Sequence, residues 1–167
     1  MDMIIATQRL NFRQLTQADA ENFYLLNADP EVIRYTGDGA FADIEAARKF
    51  LEGYDHYEKY GFGRWAVIRK EDNEFLGWCG LKYTPETDEY DIGFRFFRKY
   101  WNQGYATEAA QACLDYGLND LGMKTIIGRA MKANTASVKV LEKIGMTYWK
   151  PMDFHGDEGV VYRIEKS

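Results

Sequence analysis

The chain has 167 residues, 46% of them hydrophobic and 16% aromatic, with a formal net charge of −5 at pH 7. That length gives one domain with a sizeable core, and the apolar share excludes a disordered chain. The acidic balance argues against nucleic acid as a partner, and no apolar run reaches the ~18 residues that a membrane span needs.

Two cysteines, Cys79 and Cys113, lack metal-ligand spacing and read as buried thiols of a reducing compartment. The opening residues 1–6 have no basic region followed by an apolar run, so no secretory leader is expected. The expectation is a cytoplasmic protein with no metal site.

Residues 4–15 read as a first strand, Leu10 and Phe12 alternating with Arg9, Asn11 and Arg13. Thr16, with Asp19 three residues on, opens a helix to about Asn27 in capping-box fashion, with Phe23 and Leu26 facing inward. Asp29-Pro30-Glu31 starts a short turn or helix ending near Tyr35, and Gly37-Asp38-Gly39 is a loop. Asp43 caps a second long helix running through Tyr60, with Ile44, Ala47, Phe50, Leu51 and Tyr54 on one face.

From Gly61 the period changes to two. Residues 62–69, 74–83 and 88–97 read as successive strands, joined by turns at 70–73 and 84–87. Such short connections make the neighbours antiparallel. A helix follows, whose face is Ala106, Ala109, Ala110, Cys113, Leu114, Gly117, Leu118 and Leu121, with a stop at Gly122. Residues 124–131 form a fifth strand. Asn134 caps a helix over 135–144 closed by Gly145, and 146–150 with 159–164 make a hairpin around 151–158. The order predicts an α/β (α+β) fold in a single domain over 1–167. Its mixed, mostly antiparallel sheet has about seven strands flanked by about four helices.

The stretch 99–110, Lys-Tyr-Trp-Asn-Gln-Gly-Tyr-Ala-Thr-Glu-Ala-Ala, joins the third strand of that meander to the central helix. A loop carrying Gly104 and a helix opening on the small Ala106 point several main-chain N–H groups one way, which suits an anion. An ordinary strand–helix connection is the competing reading. Neither the P-loop spacing nor the dinucleotide Gly-x-Gly-x-x-Gly occurs.

Residues 100–109 of this stretch closely resemble the acetyl-CoA loop of the GNAT N-acetyltransferases, and look most like the branch of ribosomal-protein N-terminal acetyltransferases. Asn27-Ala-Asp-Pro-Glu-Val-Ile-Arg-Tyr35, Asp91-Ile-Gly-Phe94 and Asn134-Thr-Ala-Ser-Val-Lys-Val-Leu-Glu-Lys-Ile-Gly-Met146 resemble further segments of that branch in the same order. The resemblance spans nearly the whole chain. It implies acetyl-CoA as cofactor and direct acetyl transfer to a primary amine in a ternary complex, the amine being a protein N-terminus or a small molecule. A non-catalytic CoA-binding sensor or scaffold is the alternative, and monomer and homodimer are both open.

In this frame the amides of Gln103, Gly104, Tyr105, Ala106 and Thr107 anchor the pyrophosphate. The main chain of Phe94 and Phe96 pairs with the pantetheine arm. Asn134 and Ser137 lie beside the cofactor, with Ser137 as proton donor to the leaving thiolate. Arg34 and Tyr35 match a substrate-side loop. Two positions depart from the wider family: Trp101 stands where a Gln or Arg is usual, and Leu141 where a tyrosine acid is common.

Glu89 and Asp91, two apart on a strand, share a face and are base candidates; a solvated strand face is the other reading. An α-amine, with a pKa of about 7.7–8, needs less help from a base than a lysine at about 10.4. Trp65, Trp78, Tyr83 and Tyr90 either line an acceptor channel or pack in the core. Asn134 also has a sufficient role as a helix cap, and Glu108 as a partner of the helix dipole. His56 reads as a surface-helix residue, His155 as a loop residue, and 153–158 as an acidic hairpin turn.

Overall fold

The computed structural model describes residues 3–167; Met1 and Asp2, the first two residues of the stretch read as leader-free, lie outside them. One mixed sheet of eight strands runs through the described residues in the order β1-β2-β3-β4-β5-β6-β8-β7. The strands are β1 (Met3–Ala6), β2 (Leu10–Gln14), β3 (Arg64–Arg69), β4 (Phe75–Thr84), β5 (Glu89–Phe96), β6 (Thr125–Met131), β7 (Thr147–Phe154) and β8 (Asp157–Glu165). All neighbours are antiparallel except β5 and β6.

Period-two alternation divides the core between the two faces of the sheet. Leu10, Phe12, Trp65, Val67, Cys79, Leu81 and Ile92 point to one face and pack under helix α5 (Tyr105–Asp115) and helix α6 (Thr135–Lys143). Ala66, Phe75 and Trp78 point to the other, under α1 (Ala20–Ala28), α2 (Pro30–Ile33) and α3 (Ile44–Glu52). Cys79 and Cys113 are both buried free thiols on the α5 side.

Three elements differ from the sequence expectation. The first strand is a hairpin, because Thr7 turns the chain: its N–H donates to Leu10 O and its hydroxyl accepts from Leu10 N–H. The long second helix breaks at Gly53, which caps α3, and resumes as α4 (His56–Tyr60). The break frees Tyr54 and Tyr57 to reach β3, where the Tyr54 hydroxyl accepts from Arg64 N–H and Tyr57 donates to Arg64 O. The last hairpin is longer than expected, turning only at His155 and Gly156.

Helix α5 carries the expected buried face and then widens into a π turn, Tyr116–Asp120. Gly117 lies where that turn meets the sheet. A methyl there would stand 2.9 Å from both Leu81 Cδ1 and Ile126 Cδ1, so the helix end lies directly on the sheet. Gly122, with φ of +71°, then ends it at the expected place.

Candidate active site

The two parallel strands lead into the two helices that begin at their carboxyl ends. In the parallel pair, Asp91 of β5 stands opposite Ile127 of β6. The starts of α5 and α6 follow the carboxyl ends of these two strands. Ligands of mixed α/β sheets settle at such carboxyl ends, where pairing gives way.

Helix α5 starts on Gly104 with φ of +82°, a left-handed conformation that costs glycine little. No side chain caps the helix there. The first helix-closing bond runs from Glu108 N–H to Gly104 O at 3.0 Å, so the amides of Tyr105, Ala106 and Thr107 precede it and have no helical partner. The Gln103 side chain does not join them, because its Nε2 donates to Lys99 O at 3.0 Å.

Trp101 has a defined task. Its Nε1 donates to Phe96 O at 2.9 Å and ties the loop to the end of β5. The Phe96 carbonyl, expected to pair with an extended arm, therefore already has a partner. Phe94, two residues back, keeps its main chain on the same edge.

Glu108 holds the opposite side of the loop. Its carboxylate accepts from the Thr7 hydroxyl at 2.6 Å, from Arg9 N–H at 3.0 Å and from Arg9 Nε at 2.7 Å. Arg9 also donates to Gln103 O at 3.0 Å, and its guanidinium lies 4.3 Å from the Tyr105 ring centroid. Burial would raise the Glu108 carboxyl, but the bonds from Thr7 and Arg9 hold it below its ordinary value. The β1–β2 turn is thus clamped to the first turn of α5. Its local sequence context points only to a dipole role for Glu108, since nothing local reveals a partner 99 residues away.

At the start of α6, Asn134 Oδ1 accepts from Ser137 N–H at 3.3 Å, a capping bond. Ser137 is half-buried, and its hydroxyl has no hydrogen-bond partner among the described residues. Leu141, the departure from the tyrosine pattern, is buried against Gly128.

The carboxylates stand where β5 and β6 meet, on the α1–α3 side of the sheet. Arg129 crosses from β6 to bridge them, its Nη1 2.8 Å from Asp91 and its Nη2 2.7 Å from Glu89. Burial pushes the Asp91 carboxyl above its ordinary value, while the charges of Arg129, Lys82 and Arg64 pull it down. A carboxyl so raised is a better proton acceptor than a solvated one.

Farther along the same face of β5 lies Arg95, whose side chain is only 9% exposed. It donates to Asn27 Oδ1 at 3.0 Å and to Asp38 Oδ2 at 2.8 Å. Arg34 and Tyr35 sit just before the Asp38 loop, with Arg34 stacked 5.0 Å over the Tyr35 ring and largely exposed. That loop meets the β7–β8 turn, since a methyl on Gly37 would fall 2.2 Å from His155 Cδ2.

Of the two readings for Trp65 and Trp78, a shared channel lining or core packing, the pleat does not fit the shared channel. Trp65 pairs with Cys79 and Trp78 with Ala66, so the two indoles are on opposite faces. Trp65 is 1% exposed and packs edge-on against Tyr116 in the α5 core. Trp78 is also buried, but beneath the arginines of the carboxylate face. Tyr83 and Tyr90 pack on each other and on Tyr60 and Phe62, on the α5 side. His56 is a strut rather than a surface residue: Tyr83 N–H donates to its Nε2, so its Nδ1 carries the proton and donates to Phe62 O.

Comparison with known proteins agrees with this geometry. The family profile described as acetyltransferase (GNAT) domain matches residues 9–147. The uncharacterized protein YkkB of Bacillus subtilis (strain 168) is 38% identical over 152 residues, covering 87% of this chain and 86% of that protein. A GNAT-family acetyltransferase of Bacillus anthracis superposes with a TM-score of 0.83 at 31% identity, over 99% of both chains. RimL, a ribosomal L7/L12 alpha-N-protein acetyltransferase solved with coenzyme A, shares the fold at 16% identity, with a TM-score of 0.81 over 98% of both chains. The chain belongs to the GNAT family of acetyl-CoA-dependent acetyltransferases.

Proposed function

We propose that the chain transfers an acetyl group from acetyl-CoA to a primary amine by direct attack in a ternary complex. The observation that carries this reading is the uncapped, glycine-led start of α5 beyond the carboxyl end of β5, beside a second helix start that carries Ser137 beyond β6, with Glu89 and Asp91 on the other face of β5. The donor fits that place. The free amides of Tyr105, Ala106 and Thr107 match an anionic pyrophosphate, with Gln103 and Gly104 shaping the turn, and no side chain competes for them. The main chain of Phe94 offers an extended arm an unpaired strand edge, with Phe96 contributing less because Trp101 holds its carbonyl.

Bound there, acetyl-CoA supplies a thioester carbonyl that is reactive toward amines. The chain's own residues hold the protons. Asp91, with Glu89 beside it, accepts a proton from the incoming ammonium, directly or through water. Arg129 fixes both carboxylates in place. The Ser137 hydroxyl, which no group among the described residues engages, is the donor for the departing thiolate. Asn134 keeps Ser137 at the helix start through its capping bond. Arg34 and Tyr35 flank the approach of the acceptor.

Release of free thiol in the presence of acetyl-CoA and an amine panel tests this, with Ser137→Ala in parallel. Loss of a proton donor lowers kcat about 100-fold while KM for acetyl-CoA stays near the wild-type value. Coenzyme binding without transfer to any amine would instead support a sensor or scaffold. Among the described residues no helix is long and apolar enough to cross a membrane.

A further inference from the structure

The acceptor side of the site holds an arginine with no assigned work. Arg64 opens β3 and shares a row across the sheet with Gly80 and Gly93, so its side chain rises on the face that carries Asp91 and Arg95. Its main chain is fixed at both ends by tyrosine hydroxyls, Tyr54 accepting from Arg64 N–H at 2.8 Å and Tyr57 donating to Arg64 O. Its guanidinium lies 4.5 Å above the Trp78 ring centroid, and that of Arg95 lies 5.4 Å from the same ring. Trp78 in turn covers Gly93, midway between Asp91 and Arg95 on the strand. Arg64 therefore stands between the base candidate and the second guanidinium, and its charge acts on both.

Of the other cations of this face, Arg129 is matched by Glu89 and Asp91 and Arg95 by Asp38, while Lys82, directly across from Asp91 and exposed to solvent, has no ion-pair partner among the described residues. Arg64 has no ion-pair partner and no side-chain hydrogen bond among the described residues. Arg95 Nε is buried and also lacks a partner. In a chain of net charge −5, two guanidiniums with unmatched donors beside a proton acceptor are a specific arrangement. The forked guanidinium suits a planar carboxylate above other anions of similar size. Asp38, from a loop, already places one carboxylate on Arg95.

We propose that the acceptor is an amine bearing a carboxylate close to its amino group, an amino-acid-like molecule whose carboxylate docks on Arg64 in front of Arg95 while its nitrogen faces Asp91. The inference rests on the amine-acetylating reading above. It separates the acceptor from polyamines and amino-sugars, which lack the carboxylate, and from peptide N-termini, where an amide replaces it.

The test compares free L-amino acids, their α-carboxamides and the matching decarboxylated amines as acceptors, in the wild type and in Arg64→Gln. The carboxamide carries the less basic amine, which alone would favour it at neutral pH, so a lower rate with it reports recognition of the carboxylate. In the wild type, kcat/KM is expected to fall about 10- to 100-fold from amino acid to carboxamide. Arg64→Gln imposes the same loss on the amino acid, adds little for the carboxamide and leaves KM for acetyl-CoA unmoved. Arg64→Lys recovers part of the loss. Equal use of amino acid and carboxamide by the wild type, or an equal loss with both in Arg64→Gln, overturns the proposal while leaving amine acetylation standing. Transfer to a polyamine, amino-sugar or peptide N-terminus but to none of the three series overturns this proposal alone, whereas transfer to none of these amines, with acetyl-CoA bound, removes the amine-acetylating reading and this one with it.

Discussion

Glu108→Ala removes one carboxylate that joins two distant parts of the chain. Three bonds disappear, from the Thr7 hydroxyl, Arg9 N–H and Arg9 Nε, and a main-chain donor loses its partner. Bonds to a charged group contribute about 1.5–3 kcal/mol singly and add poorly. With the Glu108 side chain 20% exposed, the set as a whole is worth about 3 kcal/mol. For a domain of this size that corresponds to a fall in Tm of about 6–12 °C, measured by calorimetry at neutral pH. Glu108→Gln, which keeps the shape and loses the charge, falls between. The difference also depends on pH. Because the folded-state pKa lies below the ordinary value, the stabilisation is present above that value and vanishes as pH drops through the folded one. The gap between wild type and variant is therefore constant from neutral to about pH 5 and narrows progressively below it. A Tm within about 2 °C of wild type in Glu108→Ala, or a gap that does not narrow at all as pH falls below about 4, would refute the clamp.

Three further outcomes follow from the geometry. Gly128→Ala puts a methyl 2.7 Å from Leu141 Cδ2 in a closed core, which costs about 1–3 kcal/mol; a urea midpoint equal to wild type would contradict that packing. If Asp91 accepts the proton, wild-type kcat/KM falls on the acid side with an apparent pKa above the ordinary carboxylate value, because burial raises the group. Asp91→Asn loses both the rate and that limb, whereas a variant keeping both places proton removal elsewhere. Trp101→Phe deletes the bond to Phe96 O and lowers stability by about 1 kcal/mol in urea titration, and an unchanged midpoint would deny the tie.

Much of the scaffold was legible because its signals are local. The meander shows as period-two runs with polar turns, and α5 shows as one apolar face ending at Gly122. Gly104 and Asn134 mark helix starts by conformational preference and capping chemistry, both short-range effects. The failures are tertiary. Thr7 turns the chain without Gly or Pro, its hydroxyl and main chain doing the work together. Gly53 sits inside a pattern that still reads as helical, and only the call of the β3 backbone on two tyrosine hydroxyls explains why the helix stops. Trp65 and Trp78 differ by the parity of a register that includes a bulge between Val67 and Ile68, which residue type alone does not encode. The bridging of Glu89 and Asp91 by Arg129, and the clamp on Glu108, join residues 38 to 101 positions apart.

The most direct test of the central claim is an initial-rate matrix in which acetyl-CoA and a primary amine are varied together, with the acetylated amine identified by mass spectrometry. Direct transfer in a ternary complex predicts intersecting reciprocal plots, an N-acetylated product and no acetyl left on the denatured protein. Parallel plots with acetyl retained on the chain, or bound coenzyme with no acetylated product, would contradict it.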